Sequence, residues 1–105
     1  MVSDELQKSW ARTTVFLRDA RSHISEAGEG ICSDEIAEFE EYLAHNELEL
    51  ALDMLDAVVE KSKIETPQMV EIMAKAALSM GLSDRSHEYD EHLSRWRGWK
   101  YQTKL

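Results

Sequence analysis

Between Ser22 and Glu60 there is not one lysine or arginine. Other residue types are scarce along the whole chain of 105 residues: one cysteine, one proline and four glycines. Each scarcity excludes something. A single cysteine, Cys32, forms no internal disulfide, and thiols without disulfides fit a reducing compartment. No apolar run approaches the ~20 residues that a membrane-spanning helix needs. No basic-plus-apolar leader is recognisable, so the sequence reads as that of a soluble, cytoplasmic protein. There is no glycine-rich phosphate loop, no serine nucleophile elbow and no HExxH. The formal charge of −9 disfavours nucleic acid and anionic membrane, because phosphates attract the opposite sign.

What is present is helix-forming material. Apolar residues make up 43% of the chain, enough for one domain with a core and no need of a metal or disulfide staple. Ala, Leu, Glu, Lys and Met dominate, and strand-like alternation is rare. Leu6, Trp10, Thr13, Leu17, Ala20 and Ile24 share one helical face, which predicts a helix from Asp4 to Ala27 that starts on Ser3 and ends at Gly28-Glu29-Gly30. Ser33 is expected to cap a second helix with Ile36, Phe39 and Leu43 inward. The pattern changes phase near His45-Asn46. Either Asn46 caps a third helix bearing Leu48, Leu52, Leu55 and Val59, or the two run on with a kink. Thr66-Pro67 starts the next helix, with Met69, Met73, Ala76 and Met80 on one face and Gly81 closing it. Ser83 or Asp84 opens a last one with Tyr89, Leu93 and Trp96, and residues 98–105 read as a frayed tail. The expectation is an all-α, compact bundle of about five short helices in a single domain.

Candidate chemistry is thin. Cys32 follows a flexible loop and precedes a helix start, where a thiol can be activated; the plainer reading is a small buried residue. His87 and His92, with Glu88 one turn before His92, make half a metal site; the plainer reading is a surface pair. The methionines serve a core more readily than a binding groove, although a homodimer through that face is compatible with the sequence. The cations of the first helix, Lys8, Arg12, Arg18 and Arg21, suit a membrane surface poorly, since its apolar face is needed for the core. No catalytic residue, cofactor or metal is assigned.

The charge gap is the functional handle. It holds 12 carboxylates in 39 residues, while the rest of the chain carries 9 acids against 12 bases. Glu49, Asp53, Asp56 and Glu60 fall in one stripe beside the apolar face. Asp34, Glu38 and Glu41, with Glu40 nearby, form another. Like charges one turn apart cost a helix a few tenths of a kcal/mol, and a single lysine would relieve them. An undiluted negative face steers a basic protein partner; the plainer reading is a solvated, solubilising surface. These eight residues are the candidate partner contacts. On this reading, charge reversal at Asp53 and Asp56 weakens partner binding and leaves the bundle folded.

The run "EFEEYLAHNELELALDML", Glu38 to Leu55, resembles the core motif of small α-helical bacterial immunity proteins of the MafI-like kind. Tyr42, Leu43, His45, Asn46, Glu47, Ala51, Leu52 and Leu55 carry the likeness, and "MVEIMAKAALSMGL" before a tryptophan-bearing helix is in keeping. The resemblance implies a non-enzymatic protein that binds and neutralises a cognate toxin. If that toxin is a nuclease, an acidic face would mimic the phosphates that it binds. The alternative is a helical interaction or regulatory module without a toxin, anchored through Trp96 and Trp99.

Overall fold

The structure, a computed structural model, describes residues 4–63 and 66–102, with side chains as far as Arg95. Six helices follow in order: α1 (Asp4–Ser22), α2 (Glu26–Ile31), α3 (Ser33–Ala44), α4 (Leu48–Ser62), α5 (Pro67–Ser79) and α6 (Ser83–Gln102). The described residues contain no strand. The all-α class holds, with one helix more than the sequence predicts.

The extra helix comes from a break that the glycines do not signal. α1 tightens at its end, with His23 N–H bonding Ala20 O and Ile24 N–H bonding Arg21 O, both at 3.1 Å. Ser25 then takes an extended conformation, and its hydroxyl accepts from Gly28 N–H at 3.1 Å. A serine cap satisfies one of the otherwise orphaned amides of a new helix. Gly28 and Gly30 therefore lie inside α2 instead of ending α1. Cys32 joins α2 to α3, and Ile36 N–H already bonds its carbonyl at 2.9 Å. Ser33 is thus the first helical residue, not the cap.

Asn46 does separate α3 from α4, by a different device. Its φ is +58°. Glu47 N–H reaches back to Tyr42 O at 2.8 Å and Asn46 N–H to Leu43 O at 3.1 Å. This is a Schellman ending, which needs a left-handed residue, and asparagine tolerates that region better than most. Asn46 closes α3; it does not cap α4. Gly81, at φ +78°, closes α5 in the same way, with Leu82 N–H on Ala77 O at 2.9 Å. Thr66 and Pro67 open α5 as expected, with Met69 N–H bonding Thr66 Oγ1 at 3.1 Å. α6 continues through Gly98 to Gln102 where a tail was expected. One glycine costs a helix only ~1 kcal/mol, and no proline follows to stop it. Residues 103–105 lie outside the described residues.

α5 packs between α1 and α6, while α3 packs on α4; α1 and α5 both touch α4 and join the two groups. Leu17, Phe39, Leu52, Leu55, Val58, Met69 and Met73 are essentially solvent-free at the junction. Each such side chain contributes roughly 1.5–3 kcal/mol by leaving water. Of the face predicted for the first helix, Thr13, Leu17, Ala20 and Ile24 are buried, Trp10 is partly buried, and Leu6 stays exposed. Met69, Met73 and Ala76 of the predicted face lie inside the core, and Met80 packs against it partly buried.

Candidate functional site

The helical wheel sorts the α3 acids by the neighbour they meet. Ile36, Phe39 and Leu43 point inward. Glu40, on one flank, meets α1: Arg18 Nη1 lies 3.1 Å from Glu40 Oε1, and Arg21 Nε 3.9 Å from Oε2. Arg21 also holds Glu29 of α2 at 2.7 Å. Glu35, on the other flank, meets Lys61 of α4 at 3.2 Å. The Glu35 carboxyl is held below its ordinary range, first by a backbone hydrogen bond at the helix start and then by the Lys61 ammonium. Asp34, Glu38 and Glu41 remain on the side opposite the core. All three are exposed, and among the described residues none makes an ion pair.

The α4 stripe meets α6. Arg85 forks across it, with Nη1 at 2.6 Å from Asp53 Oδ1 and Nη2 at 2.5 Å from Asp56 Oδ2. Tyr89, one helical turn on, donates its hydroxyl to Asp56 Oδ1 at 2.6 Å. Burial opposes the Arg85 charge, but the hydrogen bond to Asp56 and its negative charge outweigh this, so the guanidinium is held more firmly protonated than usual. Burial raises the Tyr89 phenol, and the adjacent Asp56 charge raises it further. Asp53 and Asp56 thus form a seam between α4 and α6. Reversal of both would set two cations against Arg85, so a loss of stability should accompany any effect on partner binding. Glu49 and Glu60, at the two ends of the stripe, are exposed and make no ion pair among the described residues.

The acids of the charge gap therefore do not act as one face. Glu29, Glu35, Glu40, Asp53 and Asp56 are balanced by four cations, Arg18, Arg21, Lys61 and Arg85, all outside the gap in sequence. One signal was available: Arg85 and Tyr89 at i, i+4 match Asp53 and Asp56 at i, i+3 on a second helix.

The other candidates separate. Cys32 is fully buried, with Sγ 3.7 Å from Val58 O. His87 pairs with Glu91 at 3.0 Å on the surface of α6. Among the described residues, no three His, Cys, Asp or Glu side chains gather as a metal-holding group. The side chains of Trp96 and Trp99 lie outside the described residues. No described helix is long and apolar enough to cross a membrane.

A cleft of about 280 Å³ opens where α1, the start of α4 and the end of α5 meet; Trp10, Thr13, Leu48, Glu49, Ser79 and Met80 are among its walls. A shallower one of about 200 Å³ lies between α5 and α6, beside Leu78 and Asp90. Comparison with protein-family models, with curated proteins and with solved structures returns no match.

Proposed function

We propose that this chain is a binding protein that meets a basic protein partner through the outer side of α3, and that it acts as an immunity-type inhibitor of a bacterial toxin. The observation that carries the binding reading is the set of carboxylates Asp34, Glu38 and Glu41 on one exposed helical side, without an ion pair among the described residues. Neighbouring acids on the same helix are answered by Arg18, Arg21 and Lys61. A helix that places cations against its flanking acids and none against its outer ones keeps a local negative field in water. Such a field raises association rates with a basic partner. Glu49 and Glu60, exposed at the two ends of α4, are further acids without an ion pair among the described residues, whereas Asp53, Asp56 and Glu40 contribute less because they are already paired. The toxin part rests on the likeness of the Glu38–Leu55 run to immunity proteins. Inhibition would then be by occupation of the toxin's working surface, with no catalytic step.

The test is capture of partners from native lysate by the wild-type chain and by the triple variant Asp34→Lys/Glu38→Lys/Glu41→Lys. One basic polypeptide should bind the wild type at low salt and be lost from the variant, and the wild-type chain should suppress its toxicity. Equal capture by both would remove the α3 side from the reading. A basic partner without toxic activity would turn the reading into a helical regulatory module.

A further inference from the structure

The cleft between α1, α4 and α5 has no part in the contacts assigned so far. Its volume of about 280 Å³ suits one long side chain better than a drug-sized ligand. Trp10 and Met80, both partly buried, supply an aromatic and a thioether wall. Glu49 is the one charged residue among the described residues that line it, and no cation answers it. Ser79 and Met80 belong to the C-terminal end of α5, whose last turn carries no basic residue. That end is the negative pole of the helix dipole.

The hydroxyls argue against an anion. Thr13 Oγ1 lies 3.0 Å from Ser9 O and 2.6 Å from Ser79 Oγ, and Ser79 Oγ lies 2.8 Å from Ala76 O. Only two hydroxyl protons are available to these three contacts, so at most two of them are hydrogen bonds and neither hydroxyl has a proton left to donate. Ser9 Oγ donates to Ser79 O at 3.3 Å. The α4 N-terminus also opens here, and its positive pole is offset by Glu47 at the cap position and Glu49 in the first turn.

We propose that this cleft receives an arginine side chain of the basic partner. The proposal rests on the basic-partner reading and adds a specific pocket to it. The methylene stem lies along Trp10 and Met80, and the guanidinium faces the Glu49 carboxylate; the α5 end adds only its dipole, since its last carbonyls already accept from Met80, Gly81 and Leu82 N–H and from Ser9 Oγ. Arginine suits the site because its flat cation stacks on an aromatic ring while its donors find acceptors.

The test is an NMR titration of the ¹⁵N-labelled full chain with acetyl-Gly-Arg-Gly-amide, against the peptide with neutral, isosteric citrulline in place of arginine. Saturable shifts are expected at the Trp10 indole and at the backbone of Glu49 and Met80, with none from citrulline. Glu49→Gln should weaken the arginine peptide about tenfold, the scale of one charge-assisted contact. Absence of these shifts, or equal shifts from citrulline, overturns the proposal. The triple α3 variant separates the two readings. If shifts persist in it, the cleft holds arginine by itself, even should the α3 side prove to have no partner. If they vanish, the peptide is held by the α3 field and the cleft assignment fails. If the wild type gives no shifts while the α3 variant still loses its partner, the cleft alone is wrong.

Discussion

On α3, Asp34, Glu38 and Glu41 step along the helix with no cation opposite them among the described residues. On α4, Asp53 and Asp56 step along in the same manner and close on Arg85. Both helices repeat acids at one-turn intervals, opposite the apolar face on α3 and beside it on α4. The difference is made by a third element: α6 brings an arginine and a tyrosine to the level of the α4 acids, and no described element brings a cation to the outer side of α3. A stripe of like charge in a sequence is therefore compatible with a free field or with half of a paired seam. Tertiary packing decides between them.

Removing Asp56 should break the comparison most sharply. Asp56→Ala leaves Arg85, whose side chain is only 20% exposed, with one acceptor fewer and leaves the Tyr89 hydroxyl with none from this pair. Since Asp56 itself is partly solvated, the expected loss is about 1–2 kcal/mol, towards the lower part of the range for a group stranded without its partner. Thermal denaturation followed by circular dichroism should show a melting temperature several degrees lower, while Glu41→Ala melts with the wild type. Equal melting of the two would mean that the α4 seam is no more structural than the α3 side.

Tyr89 gives a pH signature found only at the seam. Its folded pKa is raised above the ordinary value near 10. A raised folded value means that the folded state keeps its proton after the unfolded chain has lost it. The stability is fully present below about pH 10 and declines as the pH rises beyond it. Stability should fall on the alkaline side, with part of the phenolate absorbance appearing only as the domain unfolds. Tyr89→Phe should cost about 1 kcal/mol at neutral pH for the lost hydrogen bond and flatten that alkaline fall. An unchanged alkaline limb in Tyr89→Phe would assign the effect to another group.

Lysine substitution should have opposite signs in the two regions. Glu38→Lys sets a cation one turn from Asp34, Glu35 and Glu41 and removes three like-charge contacts, a gain of about 0.2–0.5 kcal/mol or more. Asp53→Lys sets a cation beside Arg85 and should lower stability. If both substitutions stabilise, the Arg85 fork has no energetic weight.

How far the sequence revealed all this follows from the range of each interaction. Helices with caps inside their own first turn were legible: Thr66-Pro67 for α5, and Gly81 for its end. The phase change at His45-Asn46 was legible as a break, but whether Asn46 starts one helix or ends the other depends on a single φ of +58°. The α1–α2 break was not legible, since Ser25 and Gly28 compete as signals and the serine prevails. The candidate site was legible as a charge count and illegible as a surface. Arg85 lies 29 residues from Asp56, and Arg18 lies 22 from Glu40; helical periodicity does not reach across such distances. The cleft at Trp10 was missed for the same reason, because its walls come from three helices.

The smallest effect belongs to Glu35, an acid of α3 that is paired and partly exposed. Its folded pKa lies below the ordinary 4.5, so its contribution is present above that value and lost as the pH falls through the folded pKa. Two causes hold it there, the backbone hydrogen bond first and Lys61 second. Lys61→Met removes only the second. The melting temperature measured through the acid range should therefore fall slightly less steeply in the variant, with the larger part of the slope retained. Loss of the whole Glu35 contribution would rank the ammonium above the helix start, and α3 would then owe its acidic first turn to α4. An acid limb identical to the wild type would place Glu35 with Asp34, Glu38 and Glu41, as one more carboxylate free to meet a partner.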